Sequence, residues 1–291
     1  MGQPPPRSLW RRFKRSPAFW PAIAFALLAA AWWLLRPRRP SRVAAFEAFV
    51  ASAPPSDIWF CPGRETALFL SQDQDRYVAL MTQVDLYARG VQTHAAYTQR
   101  SASAATDVPR WAREPLREAA GRADAYLRAI GEDTIASIPW KIGFTKGDAY
   151  EQGLPHTRGH MIFLSTDMLG SPDRPADIAD TLVHEKVHLY QRFHPSEVQQ
   201  RLVEQGYRPV AERRTQPLAR ANPDLDEWIY TDQNGDMMIA LYTSDHPYGI
   251  LDVVILDPAR EHPYEAMAYR IARGYRPPRL PDGLGLERDE A

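Results

Sequence analysis

Residues 18–35 read AFWPAIAFALLAAAWWLL, eighteen consecutive residues without a charge. As a helix, a segment of this length spans about 27 Å, close to the ~30 Å hydrocarbon core of a bilayer. Trp20 stands near one end and Trp32 and Trp33 near the other, as interfacial aromatics do. Pro21 falls in the first turn, where its missing N–H costs little. The segment runs into Arg36-Pro37-Arg38-Arg39-Pro40 instead of a small-residue cleavage site. That argues for a retained single transmembrane helix over a cleaved signal peptide. Five basic residues precede the segment and four follow it, so the positive-inside rule is nearly balanced. The expected orientation is a short tail inside and an extracytoplasmic domain.

The rest of the chain differs in charge. Of 35 Lys and Arg residues, nine lie in residues 1–42, where there is no acid; 26 then face 36 acids in the remainder. An acidic body is a poor match for a phosphate backbone, so nucleic acid is excluded as a partner. Cys61 stands alone, which excludes an intramolecular disulfide framework and any Cys-rich metal site. The 26 prolines predict many loops and short elements.

The chain divides into a basic tail (1–17), the transmembrane helix (18–35), a basic Pro-rich linker (36–42), a helical region (43–135), a mixed α and β domain (136–276) and a C-terminal tail (277–291). In the helical region, Val43–Ala51, Tyr77–Tyr97 and Trp111–Ile130 carry helical patterns. Cys61-Pro62-Gly63 reads as a turn. Beyond residue 136, Ile138–Phe144 and His160–Ser165 read as strands, and Pro175–Phe193 as a helix opened by Asp173 or Asp177 and stopped before Pro195. Asn234-Gly235 marks a hairpin between Glu227–Thr231 and Asp236–Thr243. Ile250–Leu256 reads as a further strand, and Pro263–Arg273 as a closing helix.

The chemistry concentrates in Thr181-Leu182-Val183-His184-Glu185-Lys186-Val187-His188-Leu189-Tyr190-Gln191. Residues four apart on a helix share one face, so His184 and His188 are placed to hold one Zn2+. Glu185 falls beside the metal, where a general base for zinc-bound water belongs. Val183, Val187 and Tyr190 give the helix a separate apolar stripe. A strand at His160–Ser165 beside this helix would be the edge against which an extended substrate pairs.

These residues resemble the zincin metallopeptidase superfamily, over roughly residues 138–273. The resemblance implies an α+β, zincin-like catalytic domain, a peptidase activity and a third protein ligand. Glu265, in Glu261-His262-Pro263-Tyr264-Glu265-Ala266-Met267-Ala268-Tyr269, is similar to the downstream helical Glu of the gluzincin type. Tyr269, one turn on, would then orient an imidazole. His194 is the alternative, since HEKVHLYQRFH has metzincin spacing. There, however, Gln191 replaces the Gly that lets the chain turn back to the metal. The Gly-rich strand with Met-Glu-Asn of aminopeptidase-type relatives is absent.

Other histidines carry less. His246 or Tyr248 is a candidate donor to an oxyanion, and His156 and His160 are expected at the surface. Asn222-Pro223-Asp224-Leu225-Asp226 reads as a turn or helix cap, with a calcium-like carboxylate cluster as the lesser alternative. The sequence thus points to a membrane-anchored zinc metallohydrolase acting on a protein or peptide. Its rivals are a zinc-stabilised binding module without catalysis and a zinc amidase acting on a non-peptide substrate.

Overall fold

The structure is a computed structural model that describes residues 42–275, Leu256 excepted. The basic tail, the apolar segment 18–35, the linker up to residue 41 and the C-terminal tail lie outside the described residues. Among the described residues, no helix is long and apolar enough to cross a membrane.

The fold is mixed α and β. Its main sheet contains β1 (Ile58–Phe60), β2 (Ala105–Thr106), β3 (Trp140–Thr145), β4 (His156–Arg158) and β5 (Met161–Ser165). The spatial order is β1-β3-β5-β4, with β2 also pairing on β3. β1, β3 and β5 run parallel, and β4 runs antiparallel to β5 with Thr157 opposite Ile162. Inner parallel strands are covered on both faces. Accordingly every residue of β5 is buried, and Ile162 and Leu164 enter one apolar cluster while Met161 and Phe163 enter another.

Helices supply both covers. On the Met161 and Phe163 face lie residues of α2 (Gly63–Gln72), α3 (Gln83–Ala88) and α4 (His94–Ala104), including Leu70, Leu86 and Tyr97. Gly143 of β3 lets α2 approach closely, because a Cβ there would meet Thr66 and the Met161 sulfur at 3.1 Å. The opposite face packs against α5 (Arg113–Ala129), α6 (Ala179–Phe193) and α8 (Pro263–Ala272), to which α1 (Arg42–Ala51) adds Val50. Between α6 and α8 come α7 (Pro195–Glu204) and an antiparallel sheet of β6 (Arg208–Glu212), β7 (Trp228–Thr231) and β8 (Met237–Met238). The hairpin at Asn234-Gly235 is present, with Gly235 at φ +84°. Of the expected strand at Ile250–Leu256, the described residues form only β10 (Val253–Val254), paired with β9 (Leu241–Tyr242).

Several expectations are corrected. The region expected to be only helical contributes β1 and β2 to the same sheet as β3 and β5. Tyr77–Tyr97 is not one helix. Thr82 and Asp85 form a reciprocal capping box that starts α3, Gly90 breaks it at φ +67°, and Thr93 caps α4. Cys61-Pro62-Gly63 is a helix start, with Pro62 at the N-cap of α2. The 161–165 strand is interior, not an edge; the edge is β4.

Candidate metal centre

α6, which carries the motif, is anchored by a buried apolar stripe. Leu182, Val183, Val187, Leu189 and Tyr190 are fully buried, and Asp177 accepts from the Ala179 N–H at the helix start. His194 closes the helix after Phe193, and α7 begins at Pro195 with Pro in its first turn. His184 and His188 project toward α8. That helix is fixed by its own N-cap: His262 accepts from the Tyr264 N–H through Nδ1 (3.1 Å), and its Nε2 donates to Asp226 (3.1 Å). This aims Glu265, in the first turn of α8, at the two imidazoles.

The ligand atoms of His184, His188 and Glu265 lie within 4.8 Å of one another. Glu265 Oε2 is 3.3 Å from His184 Nε2 and 3.9 Å from His188 Nε2, and the two Nε2 atoms are 3.0 Å apart. Two imidazole nitrogens and one carboxylate oxygen are a donor set that suits zinc. Burial alone would raise the Glu265 carboxyl. A hydrogen bond from His184, followed by attraction to His188 when that ring is protonated, outweighs it and holds Glu265 down to about 2. Burial pushes His188 down to about 3, so its imidazole is neutral at pH 7, as a ligand must be.

The hydrogen bonds around these side chains fix which His188 nitrogen faces His184 and Glu265. Gln191 Nε2 donates to the Tyr264 carbonyl (3.0 Å), which can only accept. Gln191 Oε1 therefore faces His188 Nδ1 (2.8 Å), which carries the proton. The lone pair of His188 is left on Nε2. Asn222 Nδ2 donates to Glu265 Oε1 (3.1 Å), leaving Oε2 to the imidazoles. Such outer partners typically contribute 10–100-fold to metal affinity. Gln191→Ala should therefore weaken zinc binding by about that factor with little change in fold, measured by competition with a chelating dye.

Glu185 is buried and lines the same cavity as His184 and Glu265. The Thr157 hydroxyl donates to its Oε2 at 3.2 Å. Burial raises its pKa well above the usual carboxylate range, and the charges of Asp224 and Glu265 add to the effect. A carboxyl so placed holds a proton more tightly than an exposed one. Tyr269 packs its ring edge-on to His184 at 4.7 Å. It also lines the cavity, and burial, followed by the charges of Glu265 and Glu261, pushes its hydroxyl up to about 12.

Other expectations are not met. His194 lies at the α6–α7 junction, half exposed, stacked on Tyr190 and 3.8 Å from Glu197, and it is not part of the cluster. The helix continues through Gln191 to Phe193 and carries His194 past the metal face. His246 stacks on Tyr87 and Tyr248 is wholly exposed; neither lines the cavity. His156 is not a surface residue. It is buried on Phe163, and burial pulls its pKa down to about 4. His160 is exposed as expected, stacked on Phe193.

The carboxylates of 222–226 diverge instead of clustering. Asp224 accepts from the Thr157 N–H, while Asp226 accepts from the Trp228 N–H, the Tyr230 hydroxyl and His262. Asn222 and Asp224 are site positions whose local sequence reads only as a turn. No family model matches the chain, and neither does any curated protein or solved structure.

Proposed function

We propose that this chain is a membrane-anchored zinc hydrolase with a zincin-like catalytic domain, cleaving peptide bonds. The observation that carries the reading is the convergence of His184, His188 and Glu265 on one point, with Glu185 beside them at a cavity of about 360 Å³. Three protein donors that meet at an open cavity support a catalytic site over a structural one, which is closed by a fourth protein ligand. A structural site would also have no use for a buried Glu185.

His184, His188 and Glu265 would hold the zinc, which would supply Lewis acidity toward a water and the substrate carbonyl. Glu185 takes the proton of the attacking water and returns it to the leaving amine. Thr157 holds the Glu185 carboxylate in place for both transfers. Tyr269, which lines the cavity with its ring against His184, would be the hydroxyl donor to the developing oxyanion. Gln191 and Asn222 keep His188 and Glu265 in their orientations. Residues 18–35 tether the domain to the membrane.

The test is metal removal on the full chain. Zinc-loaded protein should hydrolyse members of a mixed peptide library, lose at least ~100-fold of that activity on chelation, and regain it with one equivalent of zinc. Zinc-loaded protein that leaves every peptide and amide intact would favour the binding module instead.

A further inference from the structure

The hydrolase reading leaves the kind of substrate open, and the edge of the main sheet bears on it; a substrate class inferred from that edge rests on the hydrolase reading. An extended peptide adds to an edge strand through outward-facing N–H and C=O groups. β4 is the edge strand beside α6, and Thr157 is its middle residue. Both backbone groups of Thr157 are already used. Its N–H donates to Asp224 Oδ1, and its C=O accepts from the Arg192 guanidinium at 3.1 Å. Arg192 also donates to the Pro223 carbonyl, so one side chain ties the strand edge to the 219–226 loop. Asp224 is only 7% exposed, and its backbone N–H is held by Asn222. Two positions upstream, Pro155 has no N–H to offer. The strand edge is thus occupied by the chain's own loop.

What stays open is the cavity. Its wall at the metal position carries His184, Glu185 and Glu265, and it is also lined by the apolar side chains Ile250, Leu251 and Val253. Its volume, about 360 Å³, is at the small end for pockets that enclose a ligand.

We propose that the substrate is a short peptide, of roughly two to four residues, held by the cavity with an apolar side chain against Ile250, Leu251 and Val253, and not an extended segment laid along β4.

Phosphinic pseudopeptides test this without requiring turnover, because the phosphinate replaces the scissile amide and binds metal directly. A leucine-containing core of three residues and the same core extended by six residues on each side would be titrated into the zinc-loaded full chain. The core should bind at least ~10-fold more tightly than the extended analogue, and the Thr157 amide should exchange no faster in the complex. Leu251→Asp, at a position 62% exposed, should weaken the core analogue about 10-fold at unchanged zinc content. Equal or tighter binding of the extended analogue, or release of the Thr157 amide on binding, would overturn the proposal while leaving the hydrolase reading standing. Failure of both analogues to bind zinc-loaded protein would overturn the two together.

Discussion

Glu185→Gln should keep its zinc and lose about 10²- to 10⁴-fold in hydrolysis, the usual share of a positioned general base. Gln keeps the shape and an oxygen to accept from Thr157, which now sits 3.2 Å from Glu185 Oε2. It cannot take a proton. The residue is not among the three converging ligands, so metal content should stay at the wild-type level. Stability should not fall either, because the change removes a buried carboxylate beside Asp224 and Glu265, whose charges raise its pKa after burial itself. Zinc content by elemental analysis, a thermal melt and peptide hydrolysis read the three expectations separately. Turnover within threefold of wild type would exclude Glu185 as the base.

The second large effect is on stability and lies on the opposite side of α6. Lys186, inside the metal motif, is wholly buried. Its ammonium pairs with Asp124 of α5, donates to the Ala136 carbonyl at 2.9 Å and sits 4.0 Å from the centre of the Trp140 ring. Asp124 also accepts from the Trp140 indole (3.0 Å) and the Ser56 hydroxyl (2.6 Å). Removing one partner of a buried pair leaves a desolvated charge, at a typical cost of about 3–5 kcal/mol. Asp124→Ala should therefore lower the unfolding free energy by about that amount in a urea titration, with a matching loss of zinc affinity as α6 loosens. Replacing both partners, as Asp124→Leu with Lys186→Met, should recover most of the loss, because no charge is then stranded. A single-variant cost below about 1 kcal/mol would show that this pair does not fasten α6.

Periodicity and chemical spacing make the part of the fold around α6 and α8 legible. The α6 pattern, the α8 pattern and the Asn234-Gly235 hairpin are local signals, and each appears close to its expected place. Glu265 is readable because its neighbours resemble a known ligand helix. What escapes is what depends on distant pairing. β1 and β2 have three and two residues, too few to show an alternating pattern, and exist because β3 offers them an edge. Thr82-x-x-Asp85 and Thr93 are visible caps, but an apolar spacing running through them suggests one helix. Asn222 reaches Glu265 across 43 residues of sequence, and Asp224 reaches Thr157 across 67. No local rule connects such pairs. Gln191 stands out in the sequence only as a departure from a glycine, although its amide sets the tautomer of His188.

The central claim is that His184, His188 and Glu265 hold one zinc with an open position. Metal content with X-ray absorption at the zinc edge, on the full chain and on Glu265→Ala, tests it most directly. One zinc bound by two imidazoles, one carboxylate and a further light oxygen, lost or strongly weakened in Glu265→Ala, is the expected result. No zinc, a site closed by four protein donors, or a zinc indifferent to Glu265 would contradict it.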